Sequence, residues 1–318
     1  MIKNLRGLRV GFFGTSEFSL EFLRSLLNEN INVPYVVTKP PAKSGRGKKK
    51  KLSPVHKWAA EKNLRIFTPL SILDDSFFKE IKKIETTINV VVAYGQIINQ
   101  RIIDLPKNLT INVHASFLPR WRGAAPIQRS ILSGDKFTGV TIMKVTKGLD
   151  EGPIILQEKI QINSDDSYET LNSKIKFEGF KLLLSSLRKI LLKNYTLKAQ
   201  SDKDATYAYK ISKIETRIDW DKDSNLIMRK IKAFNPFPGA WTEFHNSDER
   251  LKIFDAKLIE DCKNLSDPNI SVGTINDSLI VKCSKGYIKI IELQKQGKKK
   301  VKSKEFLNGF RIKDKLFK

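Results

Sequence analysis

The sequence predicts an α/β fold, a mostly parallel sheet wrapped by helices, followed by a small β-barrel of the OB kind. Three observations carry that reading. Short apolar runs alternate with amphipathic helical stretches through the first half, the pattern of βαβ units. One run, Asn89-Val90-Val91-Val92-Ala93-Tyr94, is apolar almost throughout, as a strand covered on both faces must be. After Pro236 and Pro238 the pattern changes to five short β-type runs with polar turns between them.

Leu8 to Thr15 reads as a buried strand entering a glycine turn. Ser16 is placed to cap a helix whose Phe18, Phe22, Leu23, Leu26 and Leu27 share one face, and Val33 to Thr38 is the next strand. The Gly11-x-x-Gly14 turn lacks the full dinucleotide fingerprint and predicts only a tight turn. Residues 39–52 carry prolines, glycines and four consecutive lysines, so they read as a long exposed loop without regular structure. Helix follows from Pro54 to Asn63, strand from Arg65 to Thr68, helix from Asp75 to Ile84, the apolar strand from Asn89, and a short helix from Ile97 to Leu105. Beyond the strand starting at Ile111, Gln128 to Leu132 is helical and Gly139 to Val145 is a strand. Ile154 to Ile162 alternates as an extended ribbon, and Asp166-Ser167-Tyr168-Glu169 is a capping box opening a long helix to about Leu192. Asn194 to Lys213 has no clear period and reads as a linker. Asn225 to Phe234 is a helix, and the five β-type runs are 241–244, 251–259, 272–275, 279–283 and 287–293.

The chain carries a net charge of +24, unevenly spread. Lys39 to Lys57 holds eight Lys/Arg and no Asp/Glu, and Val281 to Lys318 holds thirteen against three, whereas Ile211 to Ile280 is slightly acidic. Clustered positive charge points to a polyanion such as nucleic acid, with solvated lysine-rich faces as the plainer reading. No apolar run approaches the roughly 18 residues of a membrane span. Two cysteines without a third Cys or a paired His argue against a metal site and for a reducing cytoplasm, and no secretory h-region precedes the first strand.

The chemistry concentrates at Ile111 to Gly123. Apolar Ile111, Val113 and Ala115 alternate with Asn112, His114 and Ser116, so a strand here presents an amide, an imidazole and a hydroxyl on one face just before a loop closed by Pro119 and Gly123. Asp150, between glycines in Gly148-Leu149-Asp150-Glu151-Gly152, is the candidate remote partner. Such a set suits acyl transfer to an amine. Asn112 and His114 can donate to a developing oxyanion, and Asp150 can orient the imidazole and take up a proton. An α-amino group, with a pKa near about 8, needs no strong base. Ser116 lacks the surroundings of a nucleophile elbow. A structural His, a turn-forming Asn and an Asx-turn at Asp150 explain the same residues without catalysis, and from the residues alone both readings stand.

The pattern Asn112-x-His114-x-Ser116-Phe117-Leu118-Pro119-x-x-Arg122-Gly123-x-x-Pro126, followed by Gly148-x-Asp150-x-Gly152, resembles the signature of the folate-dependent formyltransferase family over nearly the whole chain. The segments Gly45-Arg46-Gly47-Lys48-Lys49, Trp121 to Arg129, Arg217-Ile218-Asp219-Trp220 and Ala233 to Pro238 are similar to the branch that formylates the methionine carried by initiator tRNA. The resemblance implies a Rossmann-like formyltransferase domain over 1–193, a linker over 194–213 and an OB-like tRNA-binding domain over 214–318. It implies 10-formyltetrahydrofolate as co-substrate, no metal, initiator methionyl-tRNA as acceptor, no membrane and a monomer. Asn112, His114 and Asp150 would be the catalytic trio. Ser116, Phe117, Leu118 and Pro119 would bind folate, with Gly95 to Ile98 lining the same pocket. Arg46, Lys48, Lys49, Lys50 and Lys51 would enter the tRNA. Phe117 stands where the family usually has Leu, and the loop has more lysines than usual. A sugar-nucleotide formyltransferase and a non-catalytic RNA-binding relative are the alternatives; a small nucleotide sugar would need neither the basic loop nor the basic tail.

Overall fold

The computed structural model describes residues 5, 7–44, 49–247, 249–309 and 316–318. They form two compact units, one made of residues 1–126, 137–161 and 172–208, the other of 127–136, 162–171 and 209–318.

In the first unit, β1 (Arg9–Gly14) leads into α1 (Glu17–Asn28) and β2 (Asn32–Val37). Ser16 and Ser19 form the cap of α1, and Phe22, Leu23 and Leu26 turn its buried face toward the sheet. Short arms β3 (Ala42–Ser44) and β4 (Lys49–Lys51) follow, then α2 (Pro54–Glu61), β5 (Ile66–Phe67), α3 (Asp75–Lys82), β6 (Ile88–Val92), α4 (Gln100–Ile103) and β7 (Leu109–His114). Next along the chain come β8 (Arg122–Gly123), α5 (Pro126–Ser133), which belongs to the second unit after Pro126, β9 (Phe137–Lys144), β10 (Ile154–Gln161), α6 (Tyr168–Leu191), which returns to the first unit at Asn172, and β11 (Tyr207–Ala208). The main sheet runs β10-β9-β7-β6-β1-β2-β5. Neighbours from β7 through β5 are parallel, while β9 is antiparallel to β7 and β10 to β9. Every residue of β6 is buried, as its unbroken apolar run predicts.

One polar group lies within that buried strand. Asn89 is fully buried, and its Oδ1 accepts from the Tyr35 hydroxyl at 2.8 Å and from Thr86 Oγ1 at 3.2 Å. Tyr35 stands on β2 and Asn89 on β6, so their bond passes over β1, which lies between them. At the crossing is Gly11, where a Cβ would overlap both Asn89 Oδ1 and the Tyr35 hydroxyl. The glycine is thus part of β1, and its lack of a side chain admits the cross-sheet bond; the Gly11-x-x-Gly14 spacing marks this crossing, with Gly14 closing the strand. Burial holds the Tyr35 phenol well above its ordinary range, so it stays a donor.

Three local patterns differ from expectation. Residues 42–44 and 49–51 pair as antiparallel arms, so consecutive lysines do not prevent extended pairing; successive side chains of a strand point to opposite faces, which spaces neighbouring charges. The long helix α6 is capped by Ser167 and Thr170, whose side chains each bond the other's backbone N–H, while Thr170 also bonds Asp166. Residues 198–208 are tied into the first unit by Ile154–Lys198 bonding and by β11, which pairs with β8.

The second unit contains α7 (Ser224–Phe234), β12 (Ala240–Glu243), β13 (Arg250–Ile259), β14 (Ile280–Lys282), β15 (Tyr287–Lys295), β16 (Val301–Lys302) and α8 (Ser303–Gly309). The order β12-β13-β15-β14, with β16 beside β15, gives an antiparallel half-barrel. Ile227, Ile231 and Phe234 of α7 are buried, as are Ile253, Ile288, Ile290 and Leu293 of the strands. Residues 272–275 do not form the predicted fifth strand; the bridges Thr274–Leu316 and Ile275–Val281 and backbone hydrogen bonds to Lys282 hold them instead, and β16 completes the sheet. Gly273 has a φ of 84°, a backbone that cannot continue an extended ladder.

Gly11→Ala is expected to destabilise the first unit by displacing the Tyr35–Asn89 bond, at about 1–3 kcal/mol for each buried polar group left unpaired. Urea titration of the variant checks this; an unchanged midpoint would show that the crossing is not constrained.

Candidate active site

The register of the parallel strands sets the site's location. Gly14 of β1 lies beside Val92 of β6, and Val91 of β6 beside Asn112 of β7, so these strands leave the sheet at one carboxyl edge. Loops leaving that edge enclose the usual ligand crevice of an open α/β sheet. Asn112 and His114, two residues apart on β7, face the same side there. His114 is 5 % exposed, and the Asp150 carboxylate meets it from the turn after β9.

The three side chains converge. Asn112 Nδ2 donates to Asp150 Oδ1 at 3.3 Å, and His114 Nδ1 lies 3.4 Å from Asp150 Oδ2. Asp150 Oδ2 also accepts the Gly123 N–H at 2.9 Å. The other ring nitrogen, His114 Nε2, faces the Trp121 carbonyl at 2.9 Å. Both ring nitrogens therefore look at oxygen acceptors. A singly protonated imidazole can donate to one of them at a time, and the doubly protonated ring donates to both. Asn112 retains a second amide hydrogen beyond the one given to Asp150. The site thus combines two adjacent donors with a carboxylate able to accept a proton.

The turn that delivers Asp150 is unusual for its residue types. Asp150 has a φ of 51° and Trp121 a φ of 66°, both left-handed, which costs a non-glycine residue roughly 1–2 kcal/mol. The glycine beside Asp150 matters too, since a Cβ on Gly152 would overlap the Lys144 carbonyl.

The segment after β7 is fixed from below by the antiparallel strands. Thr141 Oγ1 donates to the Ser116 carbonyl at 2.7 Å and accepts the Leu118 N–H at 3.2 Å. Gln157 Nε2 donates to the Leu118 carbonyl at 2.7 Å. Leu118 is buried with Met143 and Ile154, while Phe117 remains 39 % exposed. The Ser116 hydroxyl donates to the Arg120 carbonyl at 2.6 Å and so closes its own loop; it is not placed against His114 as a nucleophile would be. On the neighbouring strand end, Ile97 is exposed and Ile98 buried, so the two halves of Gly95 to Ile98 face differently.

Lys50 and Lys51 are exposed on β4, and Lys49 pairs with Ser44 through its backbone. Arg46 and Lys48 lie outside the described residues. Among the described residues no three His, Cys, Asp or Glu side chains are grouped to hold a metal ion, and no helix is long and apolar enough to cross a membrane.

Several supporting residues are not apparent from the sequence pattern. Thr141 and Gln157 sit on strands whose alternation marks them only as polar. Gln200 lies in a stretch without period, yet its Nε2 donates to the carbonyls of Asp150 at 2.9 Å and Gly152 at 2.8 Å. Arg122 is 3 % exposed, with its charge met by Asp202 at 2.9 Å. Its place in the Arg122-Gly123 pair is the one signal that could have singled it out.

The formyl transferase family model matches residues 8–187, and the formyl transferase C-terminal domain model matches residues 210–311. The chain is 39 % identical to the methionyl-tRNA formyltransferase of Kosmotoga olearia, covering 92 % of this chain and 93 % of that one. It is also 39 % identical to the methionyl-tRNA formyltransferase of Bartonella quintana, covering 96 % and 98 %. A crystal structure of HypX from Aquifex aeolicus in complex with tetrahydrofolic acid shares the fold with a TM-score of 0.66 at 15 % identity, covering 96 % of this chain and 48 % of that one. With both family models matched in sequence and relatives of this identity aligned almost end to end, the chain belongs to the methionyl-tRNA formyltransferases of the formyl transferase family.

Proposed function

We propose that this chain transfers the formyl group of 10-formyltetrahydrofolate to the α-amino group of methionyl initiator tRNA. The observation that carries the reading is the single carboxylate, Asp150, bonded to the Asn112 amide and set against the His114 ring at the carboxyl edge of the sheet. The family and the near-full-length relatives support the same reaction class.

Each residue then has a chemical task. Asn112 Nδ2 and an N–H of His114 donate to the formyl oxygen as it takes negative charge; one such donor is worth about 10²–10³ in rate. The amine nitrogen forms the new bond to the formyl carbon, and the bond from that carbon to the folate N10 breaks. Asp150 accepts the proton lost by the amine, directly or through water, and N10 gains one proton on leaving. The α-amino group is partly neutral near pH 8, so Asp150 serves as proton acceptor without having to generate the nucleophile.

Ser116, Phe117, Leu118 and Pro119 form the folate-side wall, with Gly95 to Ile98 opposite. The bonds from Thr141 and Gln157 support this role because they hold the segment's backbone in one conformation. Phe117, half exposed, enlarges that wall without altering the bonded backbone beneath it. Arg46 and Lys48 to Lys51 carry the acceptor end of the tRNA. The described arms support this by presenting Lys50 and Lys51 to solvent. The region 1–193 acts as the formyltransferase domain and 214–318 as the tRNA-binding domain, joined by 194–213. The protein works as a monomer in the cytoplasm and needs no metal.

His114→Ala is expected to abolish transfer, and Asn112→Ala to lower kcat by about 10²–10³, both with tRNA affinity retained. Single-turnover formylation beside filter binding checks this, and parallel loss of binding and rate would refute the roles. Arg46→Ala, or neutral residues at 48–51, should weaken tRNA binding and flatten its dependence on salt, since each lost phosphate contact removes released counterions. An unchanged salt slope would remove the loop from the interface. Protein dialysed against a chelator should keep its full rate; activity lost and then restored by zinc would refute the metal-free mechanism.

A further inference from the structure

The Asp150 turn is gripped twice. On its side-chain face, Oδ2 accepts the Gly123 N–H. On its backbone face, the Asp150 carbonyl accepts from Gln200 Nε2. These grips belong to one closed ring. Gly123 follows Arg122, whose Nε donates to Gln200 Oε1 at 3.0 Å, and Gln200 Nε2 returns to Asp150. Arg122 and Gly123 are themselves clipped to β11, where the Arg122 N–H donates to the Thr206 carbonyl at 2.8 Å.

The chemistry of Gln200 fits this place closely. Its two amide hydrogens serve two carbonyls, Asp150 and Gly152, on either side of Glu151. Its amide oxygen serves the guanidinium of Arg122. A residue that is only a donor or only an acceptor cannot fill both ends. One of the two carbonyls belongs to Asp150 itself, the left-handed residue whose side chain reaches Asn112 and His114. Without an outside brace, a backbone strained at Asp150 has a lower-energy conformation to relax into, and its carboxylate would leave the two donors. Gln200 also falls between the spans matched by the two family models, 8–187 and 210–311.

We infer that Gln200 is a positioning residue for the reaction: it holds the Asp150 carboxylate against Asn112 and His114 by bonding the turn's carbonyls, and it is oriented by the buried Arg122. The inference rests on the reading of Asn112, His114 and Asp150 as the formyl-transfer site.

Two variants separate its functions. Gln200→Leu removes both ends of the brace. Gln200→Glu keeps an oxygen acceptor for Arg122 but replaces the two donated hydrogens by an oxygen facing carbonyls. Both are expected to lose kcat by about 10- to 100-fold, the usual range for a residue that orients a functional group, with KM for methionyl-tRNA little changed. A structural role confined to satisfying Arg122 would leave Gln200→Glu fully active, and that result would overturn the inference. A second measurement does not depend on turnover. The chain has three histidines, so 15N-histidine NMR can follow the His114 ring, identified by loss of its signals in His114→Gln. Its ring 15N signals should move in both Gln200 variants as the facing carboxylate withdraws. Unmoved His114 signals in folded Gln200→Glu would refute the brace, whereas moved signals in a protein that never formylates methionyl-tRNA would leave the brace standing and remove the proposed function.

Discussion

The Asp150 carboxylate, accepting from an amide and a backbone N–H and facing an imidazole, is the contact on which this end of the molecule depends. Buried or half-buried carboxylates are costly unless their lone pairs are occupied. Here the occupants come from β7 and from Gly123, while the carboxylate comes from a turn more than 25 residues further on. Strand register brings Asn112 and His114 of β7 to the edge, whereas the antiparallel β9 runs away from it and ends with Lys144 beside Ile111, so the turn after β9 must fold back to carry Asp150 to them. The carboxylate geometry is thus set by the fold-back turn, while the pairing of β9 with β7 places Thr141 to brace the segment after β7.

Charge acts on a different scale from this network. Salt-bridged pairs within the first unit, such as Arg101–Asp75 and Lys107–Glu85, are exposed and contribute little to stability. In the second unit Glu292 binds both Lys300 and Lys302, which holds its carboxyl below the usual carboxylate range. Those two lysines of the basic tail have a protein partner. The large surplus of positive charge acts over longer distances than these pairs, and the few buried polar bonds, Tyr35–Asn89 and Arg122–Gln200, specify local conformation.

Much of this was legible in the sequence for identifiable reasons. The alternation from Ile111 to Ser116 fixes a strand face, and so places Asn112 and His114 side by side. The apolar run from Asn89 marks the fully covered strand, although the asparagine at its head gives no hint that it bonds across the neighbouring strand to the next one. Asp150 was recognisable only through its glycine-flanked spacing together with the family pattern; its distance from His114 is a property of the sheet. Gln200 left no periodic trace because its task is to meet carbonyls, and carbonyls are the same in every residue. The lysine arms read as structureless because their side chains repel, whereas the pairing that holds them is made by the backbone. The run 272–275 was misread because its β-branched residues suit a strand, while Gly273 turns the backbone away.

Gly11 has no role at the site, yet it sets a limit on how this chain can change. Wherever a helix or loop packs against a sheet, a lineage can exchange small residues for larger ones and repack around them. At position 11 that route is closed, because the space above the α-carbon is already occupied by a bond joining the two strands on either side. A heavier residue there could be accepted only together with the loss of Tyr35 or Asn89. The three positions therefore constitute a single inherited unit, so a neutral walk through sequence space must change them jointly or leave them alone.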